Sequence, residues 1–566
     1  MLDFDPKKFW RDFEALHQQG ELTGAASLLE DSCDSLFSFG LAERDLFAHC
    51  AAMIPPRLQS FYPRIMLGLA WRLIAQWHFS QVDDLHRAIR LRIDEMERSQ
   101  PGNEETSRLR HVLRHREMIL SATQDDFAEA EACCRELIDK RYRTDSYVNG
   151  SLFSHLLHTR REQFKLSDFD MLDAQASDYH RAGGSQSALI VHDKLAALSL
   201  YALGRTDEAS QRLQAALDVA RSIEMNSAAL CAVSGLPLAE ILFERALFEE
   251  ADRLVRDYLP HAQETGIVDH LISGYLTKAR LYCRAGEHAK AFAWLDQAKT
   301  FAAQRGFRRL SAWVLAERCK ILLQQGRLGR DREHTRILSS LSVERLMPGR
   351  SITTVDEAEA LAWVLMAEAH CNIDDGLRLA QAWNRRLHRE GAVRSRMRWQ
   401  LVMLRLLLLA GERPKAIRLL QETLAIAAKG KFYASFLHEP AIMDFLRSSF
   451  EDRADGLDPD AETFRLELLR LAEGENVVSD SSAGKYEGPA SFGALTPREI
   501  DVLTLASSAW RNCDIADRLG LTETTVKWHF QQIYGKLGVR KRSLAVDRAR
   551  RFGLISTAYN PPASSS

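Results

Sequence analysis

The sequence carries almost no strand signal. Glycine and proline, 30 and 15 in 566 residues, are sparse before residue 470, period-two alternation is nearly absent, and helix formers dominate. These absences exclude a sandwich, a barrel or a parallel sheet and predict an all-α chain. Long apolar runs are missing too: the longest, Leu404 to Ala410, is interrupted by Arg405, so no membrane span or membrane partner is expected. The first residues, MLDFDPKKFW, are acidic and aromatic, unlike a secretory leader, which predicts a cytoplasmic protein. The nine cysteines are odd in number, Cys133 and Cys134 are adjacent, and there is no C-x-x-C. Neither a disulfide framework nor a zinc site follows, and reduced, mostly buried thiols are expected.

Catalytic motifs are equally scarce. There is no G-x-S-x-G and no G-x-x-x-x-G-K-[ST]; Gly430-Lys431 is followed by Phe432, and Gly484-Lys485 by Tyr486. Neither pair can place a hydroxyl on magnesium, so nucleotide hydrolysis is not expected. His111 and His115 stand four apart, a spacing at which two imidazoles can share a metal. Arg110, Arg114 and Arg116 crowd them with positive charge, which predicts a solvated basic face. His155 and His158, without a nearby carboxylate run, are assigned the same way. No enzyme activity, cofactor or resident metal is expected.

What the sequence does have is length, repetition and one basic segment. At 566 residues it suggests three or four units. A turn followed by an acidic residue and alanine recurs, for example Gly204 to Ala209, Phe248 to Ala251, Gly286 to Ala291 and Gly411 to Ala416. The spacing is 42 residues from Ala209 to Ala251, 40 from Ala251 to Ala291, and 40 from Gly286 to Gly326. Between Gly326 and Gly411 one degenerate repeat is expected. A helix-turn-helix unit of this size buries its apolar face only by stacking on its neighbours, which predicts a solenoid. These repeats resemble the tetratricopeptide superhelix, with longer helices than its usual unit.

Helices near the C-terminus can be placed from capping chemistry. Thr496 to Glu499 is a capping box with Pro497 at the first helical position, and the inward face of that helix is expected to be Ile500, Leu503 and Leu505 or Ala506. Asn512 is expected to cap a second helix ending at Leu519, before Gly520. Thr522 opens a third helix from Glu523 to about Leu537, with Val526, Phe530, Ile533 and Leu537 inward. Ser543 opens a fourth, closing at Gly553. From Leu495 to Ile555 there are eleven Lys/Arg against six Asp/Glu, a local excess suited to a duplex backbone.

Five signatures in this segment agree in register: Leu495 to Glu499, Asp514-Ile515-Ala516, Thr525-Val526-Lys527, Lys536 to Val539, and Gly553-Leu554-Ile555. In them the segment resembles the LuxR-type DNA-binding domain. That resemblance implies a small four-helix helix-turn-helix domain in which Lys527, Trp528 and Gln531 approach base edges while Thr524, Thr525 and Arg540 lie near phosphates. It also implies dimer contacts through Ser543 to Phe552. Lysine suits guanine O6/N7 and glutamine adenine N6/N7. Two departures stand out: Ala509-Trp510, where most members carry glycine, and the bulky Trp528, which serves either the groove or packing.

The expected division is irregular helical repeats over 1–190, a tetratricopeptide-like sensor or interaction solenoid over 191–470, a flexible linker over 471–493, the LuxR-type domain over 494–556, and a disordered tail over 557–566. Repeats leading into such a domain resemble the large MalT-like regulators, whose chains begin with an ATPase module. Phe9 to Leu85 looks like the helical segment that follows that module, which implies either a short form or a start lying upstream. The resemblance implies a sequence-specific transcriptional regulator, an activator, with duplex DNA, RNA polymerase, a second copy on DNA, and an inducer or regulatory protein on the solenoid as partners. The alternatives are an interaction scaffold whose terminal domain no longer binds DNA, and a fragment of an ATP-dependent regulator. Trp294, Trp313, Trp363, Trp383 and Trp399 are expected to be repeat packing rather than groove residues. Asp455, Asp458 and Asp460, in an acidic stretch before the terminal domain, either compete with phosphates for Arg540 to Arg542 or are ordinary solvated charges.

Overall fold

The computed structural model describes residues 5–546 apart from 39–40, 140–145, 224–227, 264–267, 332–335, 337–340, 450–456, 482–496, 508–509, 520–522, 538–541 and 543–544. All regular structure among the described residues is helical. The chain divides into two compact units, Met1–Glu473 and Gly474–Ser566.

The larger unit is a stack of antiparallel helix pairs, and the device that sets its period is a single residue in left-handed conformation between the two helices of a pair. That residue is Trp77, Asp125, Phe164, Gly204, Ala246, Gly286, Gly326, Cys371 and Gly411 in turn, at intervals of 39 to 48 residues. Glycine adopts this conformation without steric cost, whereas other residues are strained in it. Five of these positions hold residues other than glycine, so a search keyed on glycine sees only part of the array. The same turn therefore continues well before residue 190.

Five residues beyond the turn a small side chain lies where the second helix meets the first. Ala130, Ala209, Ala251, Ala291 and Ala416 are all fully buried. The repeat expected between Gly326 and Gly411 is present as the helices Thr354–Ala369 and Ile373–Arg389. It has Cys371 at the left-handed position (φ 58) and Gly376 at the close approach, where a Cβ would lie 3.3 Å from Leu406 Cδ1. Its signature is degenerate because both marker residues are exchanged, while the geometry is kept. Cys371→Gly is accordingly expected to raise thermal stability by about 1 kcal/mol by relieving left-handed strain, measurable as an increased midpoint in denaturant. A lower midpoint would contradict that account of the turn.

One apolar core runs through the stack from Ile74 to Ala472, with a separate cluster from Phe9 to Ile65 ahead of it. Trp383 and Trp399 are fully buried and stacked at 5.6 Å, as repeat packing requires, whereas Trp313 is only partly buried and lines an interior chamber. The nine cysteines are free thiols, six of them buried.

Part of the acidic stretch before the terminal domain proves to be a helix of its own, Pro459–Ser481. Asp458 accepts from the Ala461 N–H at 2.8 Å, Glu462 pairs with Arg465 at 2.7 Å, and Ala461, Phe464, Leu468 and Ala472 are buried. Tyr433 stacks on Phe464 at 4.6 Å. The expected linker start at 471 is thus within a helix, because an apolar stripe at helical spacing outweighs the acidic composition. Asp455 and the stretch 482–493 lie outside the described residues.

The superhelix returns on itself. Lys431 reaches Asp207 at 2.8 Å, Gln324 donates to the His438 carbonyl at 2.7 Å, and the Arg394 guanidinium lies 4.1 Å from the Tyr201 ring centre. First helices of repeats far apart in sequence thereby face one another across a common interior.

Candidate nucleic-acid interface and the interior of the repeats

The smaller unit contains Pro497–Ser507, Asn512–Leu519 and Glu523–Leu537 as helices. Their core is Val502, Leu503, Ala506, Ile515, Ala516, Val526, Phe530 and Ile533. The inward stripe of the third helix is the expected one as far as Ile533. On the first helix Leu503 and Ala506 are buried as expected, while Val502 takes the core place expected for Ile500, which packs against the edge. Of the fourth helix expected over Ser543–Phe552, only Ala545 and Val546 are described, and both are helical and buried.

Lys527 and Gln531 stand one turn apart and exposed on the third helix, opposite its buried stripe. Lys527 is tethered to Glu523 at 2.8 Å with both side chains more than half exposed, a pair of small energetic weight that a phosphate or base can displace. Thr524, Thr525 and Trp528 lie on this helix, with side chains outside the described set, and Arg540 is outside it altogether.

One expectation is corrected here. Asn512 is the first residue of its helix rather than its cap. Arg511 precedes the helix, its N–H donating to Asp514 at 3.2 Å and its carbonyl accepting from Ile515 at 3.0 Å. The Asn512 side chain instead reaches across the unit, where its Oδ1 accepts from Arg542 Nη1 at 2.9 Å. Arg542 also donates to the Trp510 carbonyl and covers the Phe530 ring at 5.0 Å. Burial draws its guanidinium below the ordinary value. Arg542 is therefore a clamp between the turn before the second helix and the third helix. No local pattern signals a pairing across thirty positions. Arg542→Ala is expected to destabilise the terminal unit by about 1–3 kcal/mol, as loss of a hydrogen bond to a charged group does, read from hydrogen exchange in residues 497–537. Unchanged exchange there would contradict the clamp.

Inside the larger unit the histidines expected on a solvated face are buried. His115 is fully buried, its Nδ1 accepting from Arg116 Nη1 at 3.0 Å and its Nε2 lying 2.9 Å from Ser151 Oγ. His155 Nδ1 lies 2.8 Å from the Ser151 carbonyl. Ser154 Oγ lies 2.9 Å from His180 Nε2 and 3.0 Å from His192 Nδ1. Burial lowers the imidazoles of His155 to about 4 and of His180 to about 3. His158 is brought beside two carboxylates remote from it in the sequence or a turn away, Asp269 and Glu162, with donor atoms within 4.8 Å of one another. Those oxygens already accept from guanidinium groups: Arg161 Nη2 at 2.6 Å to Glu162 and 2.7 Å to Asp269, and Arg309 Nη1 at 2.9 and 2.7 Å. Lys194 adds a third cation 3.5 Å from Asp269. Three positive charges oppose a divalent ion, so this is an ionic junction joining distant repeats.

The interior holds two chambers, each with a cavity volume of about 110 Å³, that share Arg280, Trp313, Arg394 and Arg398. Nothing in the sequence periodicity singles these four out, because they come from three helices of different repeats.

Fold and terminal unit together define a class: helical-repeat chains that carry a helix-turn-helix unit. Residues 493–549 match the bacterial regulatory proteins of the luxR family, and residues 111–453 match the MalT-like TPR region. The chain belongs to the MalT-like TPR family. It is similar to the HTH-type transcriptional regulator AlkS of Alcanivorax borkumensis, 22% identical over 77% of this chain and 49% of that protein. The AlkS of Ectopseudomonas oleovorans is 20% identical over 92% of this chain and 56% of that one. The HTH-type transcriptional regulator MalT of Yersinia pestis matches over 10% of this chain and 6% of its own length at 46% identity. The chain spans about half the length of the two AlkS relatives. Among solved structures, a Rap protein complexed with competence and sporulation factor covers 74% of this chain and 99% of its own, at 12% identity and a TM-score of 0.38.

Proposed function

We propose that this chain is a DNA-binding transcriptional regulator. The Glu523–Leu537 helix enters the major groove, Lys527, Trp528 and Gln531 meet base edges, and Thr524, Thr525 and Arg540 hold phosphates. The observation that carries this is the exposed pair Lys527 and Gln531 on a helix whose opposite stripe, Val526, Phe530 and Ile533, forms the core of the terminal unit. The local excess of Lys/Arg over Asp/Glu supplies the sequence-independent attraction. One such unit makes few base contacts, so two copies act on paired half-sites, and activation proceeds through RNA polymerase. The repeat body receives a small molecule or a regulatory protein. The protein works in the cytoplasm as a binding protein without a catalytic step.

The test is duplex binding by the full chain at graded salt, followed by mapping of its occupied sites on the chromosome. Affinity is expected to fall with salt at a log–log slope of about −4 or steeper, for some four or more phosphates neutralised. Binding that ignores salt and clusters at no common sequence would overturn the proposal.

A further inference from the structure

The two interior chambers meet at Arg280, Trp313, Arg394 and Arg398, and each of the last two arginines is held by one carboxylate and one ring. Arg394 pairs with Glu240 and lies 4.1 Å over Tyr201. Arg398 donates to Glu357 at 3.0 Å and lies 4.6 Å over Trp313. A ring beneath the guanidinium plane fixes its orientation and consumes none of its N–H donors.

Two further donors among the residues that line this interior have no partner. Tyr201 is 1% exposed and its hydroxyl makes no hydrogen bond; Arg309 is 2% exposed and its Nη2 makes none. Buried donors left in this state are costly and rare. Burial draws Arg398 below its ordinary value despite Glu357. Beyond Trp313 the adjoining chamber turns partly apolar, with Leu361, Leu365, Leu401 and Val402 in its wall.

We infer that this interior is a binding site for a small carboxylate with a short apolar body, its anionic head on Arg398, Arg309 and the Tyr201 hydroxyl and its body against Leu361 and Leu401. A planar carboxylate matches the guanidinium fork and accepts from donors that are otherwise unpaired. The site is built from five helices, Gln186–Ala202, Asp269–Arg284, Arg308–Gln324, Thr354–Ala369 and Val393–Leu409, so occupancy bridges first helices from separate repeats. The inference names the effector class for the sensing body proposed above and rests on that proposal for its biological consequence.

The experiment uses the full chain. Acetate, hexanoate, benzoate and phenylacetate are each compared with their neutral amides and with inorganic phosphate, by calorimetric titration and thermal shift. At least one carboxylate is expected to bind saturably and raise the melting temperature while its amide does not. Tyr201→Phe removes only an unpartnered hydroxyl, so it is expected to fold with unchanged or higher stability and to bind that carboxylate about tenfold or more weakly. Arg398→Gln is expected to weaken it about a hundredfold. Absence of binding by every carboxylate, equal binding by the amides, phosphate as the sole anion bound, or full affinity in Tyr201→Phe would each overturn the inference. Duplex binding is measured on the same preparations. A chain that binds duplex but no carboxylate overturns this site alone, and one that binds a carboxylate but no duplex overturns the regulator proposal.

Discussion

Lys527→Ala combined with Gln531→Ala is expected to lower the affinity of the full chain for its operator by about a hundredfold or more, since a good bidentate base contact is worth about 1–3 kcal/mol. The two side chains are exposed and sit one turn apart on the Glu523–Leu537 helix, so their removal leaves the core of the terminal unit intact. Affinity for unrelated duplex is expected to change far less, and the salt slope by about one phosphate at most, because base contacts specify while phosphate contacts position. Glu523→Gln supplies the opposite sign. It releases Lys527 from its 2.8 Å tether and removes a negative charge, so duplex affinity is expected to rise modestly. Titration by fluorescence anisotropy with operator and with random duplex separates these outcomes. Equal operator affinity in the double variant would remove the proposed recognition face.

A second large effect is acid unfolding of the repeat body between about pH 6.5 and pH 4. His155 is buried among repeats and holds its imidazole neutral, drawn down from the ordinary 6.5 to about 4. Desolvation is the main cause, with Lys194 and Arg116 adding to it. A folded-state value below the unfolded one means the unfolded chain takes up the proton first. The stability contributed is therefore complete above about pH 6.5 and is lost as pH falls toward 4, where the folded state begins to bind the proton as well. His155 alone accounts for about 3 kcal/mol of that loss. His180 and His438, at about 3 and about 4, act in the same direction. Carboxylates held low by their partners, such as Glu131 and Asp173 at about 2, lose their contribution only at lower pH. Denaturant midpoints at about pH 7.5, 6.5, 5.5 and 4.5 are expected to fall steeply across this window, with a slope reduced by about 1.4 kcal/mol per pH unit in His155→Gln. A flat profile from about pH 7 to pH 5 would show that these imidazoles are already protonated in the folded chain.

The terminal unit was legible because its signals are local. Pro497, the helix from Glu523 and the stripe Val526, Phe530 and Ile533 each follow from residues within a turn or two of one another. The tie from Arg542 to Asn512 spans thirty positions, and a basic run offers nothing to separate a solvated arginine from a clamped one. The repeat body shows the same division. Its period could be found wherever glycine marks the turn and alanine the close approach. It was hidden where Cys371 and Gly376 hold those positions, because the backbone conformation is kept from repeat to repeat while the residue type is not.

Buried charge was the least legible feature. His115, His155 and His158 look like polar-face residues in a sequence full of arginine, yet all three are buried. The amino-acid sequence by itself determined an all-helical chain, a forty-residue repeat and a helix-turn-helix unit at its end, because helical periodicity and capping act over a few residues. Only the tertiary structure decided that Arg161, Arg309 and Asp269 form one junction, and that Tyr201, Trp313, Arg394 and Arg398 line one chamber. Those groups come from helices up to about two hundred positions apart, and the curvature that brings them together is a sum of small packing angles that no single repeat encodes.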